Sequence, residues 1–283
     1  MQKNTQLYLL LFSLYWAQGL PVGFMTHALP VILRAQGVSL AQIGGFGLLM
    51  LPWAIKVLWA PLVDQSGISR IGHYRSWILP TQLLTVMILI FLSFLPIQAL
   101  NQPSYLLVFF VALFVMNSTG ATQDIATDGL AVSILKGEQQ HLGNMFQVIG
   151  SRLGFIVGGG AILWALDWLN WQSTFLILAG LVALNTVPIL FFSEKPKVSM
   201  ASLHTKYLID PKIQGTLGQR LKHYLRYFTH SRVMLSWLVV LCSIKIADGL
   251  SGPIIKPLLV DLGLSLSQIG IYITMLGALA ALC

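Results

Sequence analysis

Charge is what this sequence has least of. Of 283 residues only 9% are charged, and only nine are acidic, against roughly a quarter charged in soluble domains. A chain that is 56% hydrophobic with a mean hydropathy of +0.77 cannot cover a water-soluble core of this size, so the bilayer is its expected solvent. Cysteine is scarce as well. Cys242 and Cys283 both lie in apolar runs and support neither a disulfide framework nor metal-ligand spacing. No Ser-His-Asp, nucleotide-binding or metal-binding arrangement stands out, so no enzyme, cofactor or metal is expected. A small-residue cleavage site is also missing. The first apolar stretch, Leu7 to Leu33, exceeds a signal-peptide core of about 7–15 residues and reads as a retained transmembrane helix.

What is present is a series of long apolar runs. A spanning helix needs about 20 mostly apolar residues. Segments near 7–33, 42–62, 76–96, 105–134, 143–166, 172–192 and 233–257 qualify, and an eighth begins near 268 and is unfinished at 283. The expected class is therefore an all-α membrane protein with seven transmembrane helices and part of an eighth. Its expected divisions are a six-helix N-terminal half over 1–192, a basic central loop over 193–232, and the start of a second half over 233–283.

The net charge of +8 is uneven. Lys3, Arg70, Arg75, Lys136 and eight further Lys/Arg in the central loop fall on one side of the expected membrane, and Arg34 and Lys256 on the other. The positive-inside rule places the N-terminus and the central loop in the cytoplasm, and this asymmetry argues against nucleic acid as a partner. Within the loop, Leu217, Leu221, Leu225 and Phe228 share a helical face with Arg220, Lys222 and Arg226 off it. That pattern reads either as an amphipathic helix on the inner leaflet or as a basic linker.

The chain repeats itself. Gly37-Val-Ser-Leu-Ala-Gln-Ile-Gly44 returns 226 residues later as Gly263-Leu-Ser-Leu-Ser-Gln-Ile-Gly270, with six of eight positions identical. Each copy joins two apolar runs, so the chain reads as two copies of one membrane unit, the second cut short.

Charges inside the apolar runs cost about 2.5–3.5 kcal/mol each on insertion scales, so their positions are informative. Lys56, Asp128 and Arg152 fall at similar expected depth, with Asp124 one turn deeper. Asp124 and Asp128 are four residues apart and share a helix face. Two carboxylates so close in a low dielectric oppose each other's ionisation, which makes the pair a candidate proton carrier. Two other readings stand beside this one: Lys56 and Arg152 neutralise both aspartates and lock the helices, or the ion pairs open and close as a gate. In the seventh run Lys245 and Asp248 are helical neighbours, either paired with each other or facing a cavity. His27 and Gln123 are further candidates for a cavity wall. Gly158-Gly-Gly160 reads as close helix packing, since no strand precedes it to form a phosphate loop.

Several motifs together resemble a known family. Gly19-Leu-Pro21, Gly37-Val-Ser-Leu, Leu51-Pro52 and Lys56-Val-Leu-Trp-Ala-Pro-Leu-Val-Asp64 are similar to the AmpG-like permeases of the major facilitator superfamily. So are Gln123-Asp124-Ile125 with Asp128, Ser151-Arg-Leu-Gly154 and Leu166-Asp-Trp-Leu-Asn-Trp171. The resemblance implies a monomeric, twelve-helix, multi-pass transporter of the bacterial inner membrane. It would import a bulky solute with protons by rocking two six-helix halves about a midplane site. The second-to-third loop departs from the family pattern: it reads Asp64-Gln65 and Gly72-His-Tyr-Arg75, so the basic latch formed with Asp64, Arg70 and Arg75 is thinner. His27-Ala-Leu-Pro30 and Gly252-Pro-Ile-Ile-Lys256-Pro257 are similar to the siderophore-uptake branch, the RhtX/FptX-like permeases. Siderophore import is therefore the first expectation and muropeptide import the alternative. An inactive fragment and a non-transporting membrane scaffold are the other readings.

Overall fold

A computed structural model describes residues 2–68, 70–135, 137, 139–194 and 231–280, with side chains left undescribed at 2–4, 238, 241–242, 244–254 and 278. The loop face at 217–228 and Lys136 lie outside the described residues. Among the described residues there are helices and no strands. Six helices are long and apolar enough to cross a membrane: α1 (Thr5–Ala35), α2 (Leu40–Leu58), α3 (Arg75–Ser93), α4 (Pro103–Ile134), α5 (Gln139–Ala165) and α6 (Trp171–Phe191). The seventh run forms α7 (Arg232–Asp261). The eighth opens with α8 (Leu266–Met275). The described residues within 1–194 and 253–283 form one compact unit, and those within 195–252 belong to a second.

Expected and observed boundaries differ for local reasons. α3 stops at Ser93, three residues before Pro96, which cannot continue a helix. α5 starts at Gln139 rather than near 143, because polar Gln139, Gln140 and His141 extend the helix beyond the apolar stretch. α6 starts where Asn170 caps it, its side chain accepting from the Ser173 N–H at 2.8 Å.

The repeated octapeptide is a helix stop followed by a helix start. Gly37 and Gly263 have φ of 82° and 88°, the left-handed region where glycine is favoured. In each copy the residue after the glycine donates back five residues, Val38 to Leu33 and Leu264 to Leu259, closing the outgoing helix. Ser39 and Ser265 then form capping boxes with Gln42 and Gln268. Sequence identity in the two copies is thus identity of turn chemistry.

α1 is the most enclosed of the six helices and α2 the least. Phe24, Leu29, Phe109 and Phe175 anchor the main apolar cluster, shared by α1, α4 and α6. α1 meets α5 backbone to backbone. A Cβ added at Gly158 would lie 2.0 Å from the Leu20 carbonyl oxygen, and one at Gly154 would lie 2.5 Å from Gly19. The Gly158–Gly160 run expected to allow close packing does so, and the structure adds Gly19, Gly23, Gly150 and Gly154. Large apolar side chains such as Phe191 face outward, 85% exposed, as a bilayer solvent requires.

Candidate functional site

The site forms on α4. Among the polar residues of this 32-residue helix, Asn117, Thr122, Asp124 and Asp128 each meet a group from another segment of the chain. α2 and Trp59, the residue after it, supply four of these partners. Pro52 has no N–H to return to the turn behind it, and there Asn117 Nδ2 donates to the Leu49 carbonyl. Trp53 Nε1 donates to Asn117 Oδ1 at 2.7 Å, and Trp59 Nε1 to Thr122 Oγ1 at 3.2 Å. Between the two indoles Lys56 pairs with Asp124 Oδ2, its ammonium 5.1 Å from the centre of the Trp53 ring.

α1 and α5 supply the rest. Gln18 Nε2 donates to Asp124 Oδ1 at 2.6 Å. Tyr15 Oη donates to Asp128 Oδ1 at 2.8 Å, and Gln147 Nε2 reaches the same oxygen at 3.4 Å. The two carboxylates therefore differ. Asp124 is buried and has a cation; among the described residues Asp128 is held only by neutral donors. Arg152 does not join them. It is exposed, with its guanidinium 6.0 Å from the centre of the Phe155 ring, so the expected two-cation, two-anion cluster is a one-cation cluster. The reason is axial: Arg152 is five residues beyond Gln147 on α5, about 7.5 Å along the helix, while Gln147 occupies the place next to Asp128.

The other sequence candidates are placed as follows. Gln123 is buried, and its Nε2 has no partner among the described residues. His27 lies in a π-helical turn of α1, Phe24–Ala28, against Lys256 of α7. The side chains of Lys245 and Asp248 lie outside the described residues. In the second-to-third connection, Tyr74 Oη donates to Asp64 Oδ1 at 3.4 Å. Burial, and then the Asp64 carboxylate, push the Tyr74 phenol above its ordinary value. Arg70 is exposed. Arg75 Nη2 donates to the Leu190 carbonyl at 2.6 Å. No group of three His, Cys, Asp or Glu able to hold a metal occurs among the described residues.

Sequence reasoning missed Tyr15, Gln18 and Gln147 as partners of the aspartates. A glutamine inside the apolar α1 was an available signal for Gln18. Glu194 was also missed. Its carboxylate accepts from the Tyr74 and Arg75 backbone N–H groups at 3.2 and 3.0 Å, capping α3 from the end of α6. That contact links positions about 120 apart in the chain, and no local pattern announces it.

Such polar, charge-bearing contacts between spanning helices are the usual means by which transporters couple ions to movement. The family model described as acetyl-coenzyme A transporter 1 matches residues 6–170. The chain is 28% identical over 281 residues to a Rickettsia felis protein named "Putative transporter AmpG 4", covering 96% of this chain and 64% of that protein. It is 29% identical over 278 residues to the anhydromuropeptide permease of Escherichia coli, covering 96% and 52%. An uncharacterized protein of Haemophilus influenzae is 32% identical over 183 residues, covering 64% and 42%. The chain thus spans less than two thirds of the length of each of these relatives.

Proposed function

This chain belongs to the family described as acetyl-coenzyme A transporter 1, and on that premise we propose that it is part of a secondary active transporter rather than an enzyme. The transporter sits in the bacterial inner membrane with its N-terminus cytoplasmic, works as a monomer, and moves a bulky solute inward with protons. Its full form has two six-helix halves that rock around a midplane site.

The observation that carries proton coupling is the asymmetry of the two aspartates. Asp124 has its countercharge in Lys56, whereas among the described residues Asp128 has only Tyr15 and Gln147. Asp128 is therefore the group that takes and releases the proton. A proton on Asp128 removes its repulsion of Asp124 and changes how tightly α1, α4 and α5 are held together. The likeness to the anhydromuropeptide permease over 96% of the chain favours a muropeptide as the solute. The siderophore reading is kept as the second, on the His27-Ala-Leu-Pro30 and Gly252–Pro257 motifs alone.

The test is uptake by vesicles carrying the full-length protein under an imposed pH gradient, with anhydromuropeptide and siderophore assayed separately. Asp128→Asn is expected to lose concentrative uptake while retaining solute exchange at equilibrium. Gradient-driven uptake by Asp128→Asn at the unsubstituted rate would remove the proton role. Uptake of a siderophore alone would exchange the two solute readings. No uptake of either would favour the scaffold.

A further inference from the structure

A second polar cluster lies away from the aspartates, where α1, α5 and α7 meet. It begins with a missing hydrogen bond. Pro30 has no N–H to donate to the carbonyl of Thr26, four residues back. That carbonyl instead accepts from Lys256 Nζ at 3.0 Å, and the same ammonium donates to His27 Nδ1. A ring nitrogen that accepts carries no proton, so the His27 proton is on Nε2, a donor. Lys256 has three N–H groups and has used two. Arg152 approaches from α5. Its guanidinium lies 6.0 Å from the Phe155 ring centre, and that ring stands edge-on to His27 with centroids 5.7 Å apart.

The cluster is rich in donors and, among the described residues, contains no carboxylate. Asp124 and Asp128 are engaged elsewhere, and Asp261 is held by Arg34. Lys256 and His27 are only partly exposed. Uncompensated cations at membrane depth are costly and commonly mark a ligand path. Gly159 packs closely beside them: an added Cβ would lie 2.6 Å from His27 Cβ and 3.0 Å from Thr274 Cγ2. The Thr274 hydroxyl is buried and has no partner among the described residues. This makes a second uncommitted polar group beside the same glycine.

We propose that Lys256, His27 and Arg152 anchor an oxyanion group, a carboxylate or phosphate, of the transported solute. This rests on the transporter reading and adds to it the charge of the cargo and the end by which it is held. The solute supplies the countercharge that the described residues lack. Binding it draws α7 toward α1 and α5, because the three donors sit on three different helices.

The test is equilibrium dialysis of full-length protein in phosphatidylcholine nanodiscs with N-acetylmuramate, inorganic phosphate and, as an uncharged control, N-acetylglucosamine. Saturable binding of the anions and not of the neutral sugar is expected. Lys256→Met and Arg152→Met should each weaken it about tenfold, the loss of one charge-assisted hydrogen bond. Lys256→Arg, which keeps the charge, should bind within a fewfold of the unsubstituted protein and guards against a folding defect. Equal binding by the Lys256→Met/Arg152→Met double variant, equal binding of the neutral sugar, or no anion binding would overturn the proposal. Loss of binding when phosphatidylglycerol is added would identify a lipid phosphate as the occupant and would also overturn it. Failure of the transport reading looks different: the protein binds anions but accumulates none.

Discussion

Arg34 and Asp261 form a two-point ion pair, Nε to Oδ1 at 2.6 Å and Nη2 to Oδ2 at 3.0 Å, across 227 residues of chain. They sit at the ends of α1 and α7, just before the two glycines that open the repeated turns. The pair therefore clamps together the corresponding ends of the two repeat units. Both side chains are about one third exposed, so salt reaches them.

Replacing Arg34 by Ala should loosen both turns together. Hydrogen exchange at residues 33–38 and 259–264 is expected to quicken in Arg34→Ala and in Asp261→Ala, and to recover in the Arg34→Asp/Asp261→Arg exchange. High salt should mimic the single variants, since the screening length falls to about 3 Å at 1 M. Quickening confined to the turn carrying the substitution would refute the clamp.

The Lys56–Asp124 pair should behave as a buried pair. Lys56→Met leaves a carboxylate in a largely dry site, and a loss of about 1–3 kcal/mol is expected, below the usual range because Lys56 is partly exposed. The neutral double variant Lys56→Met/Asp124→Asn should recover most of that loss in thermal unfolding. An additive double variant would mean the two side chains do not depend on each other.

Close packing of α1 on α5 predicts different outcomes for two glycines. Gly158→Ala places a methyl group where the Leu20 carbonyl stands and should cost about 1–3 kcal/mol. Gly180→Ala on α6 meets nothing within 4 Å and should be neutral or stabilise by up to about 1 kcal/mol. Thermal midpoints of the two variants check the order, and equal midpoints would contradict the backbone contact.

Glu194 caps α3, so Glu194→Gln should cost less than Glu194→Ala, with the latter losing about 1 kcal/mol. The local sign is faster exchange at the Tyr74 and Arg75 amides in the alanine variant. Unchanged exchange there would place the capping group elsewhere.

Much of the fold was legible because each helix is signalled locally. Apolar length marks the spans, and the Gly-x-Ser-x-x-Gln pattern at 37–42 and 263–268 marks a stop and a start. The four charges were legible as unusual, since a lone charge in an apolar run stands out in one dimension. Their pairing was not. Arg152 and Lys56 are both basic residues at similar expected depth, and only the placement of α5 puts Gln147 beside Asp128 and Arg152 further along the helix, over Phe155. Lys256 was equally ambiguous, because its partners are a carbonyl released by Pro30 and a histidine about 230 positions earlier.

By itself, then, the sequence determined a helical membrane chain, its spans, its internal repeat and the residues too polar for hydrocarbon. These follow from hydropathy and turn chemistry, which act over a few residues. The tertiary structure decided which polar groups meet. Among the described residues it gave Asp124 a cation and Asp128 none, and it gathered Lys256, His27 and Arg152 without a carboxylate. In hydrocarbon the backbone satisfies itself within each helix, so the side-chain contacts depend on how the helices are turned against one another. Here that is set by glycines on α1 and α5 and by residues far apart along the chain.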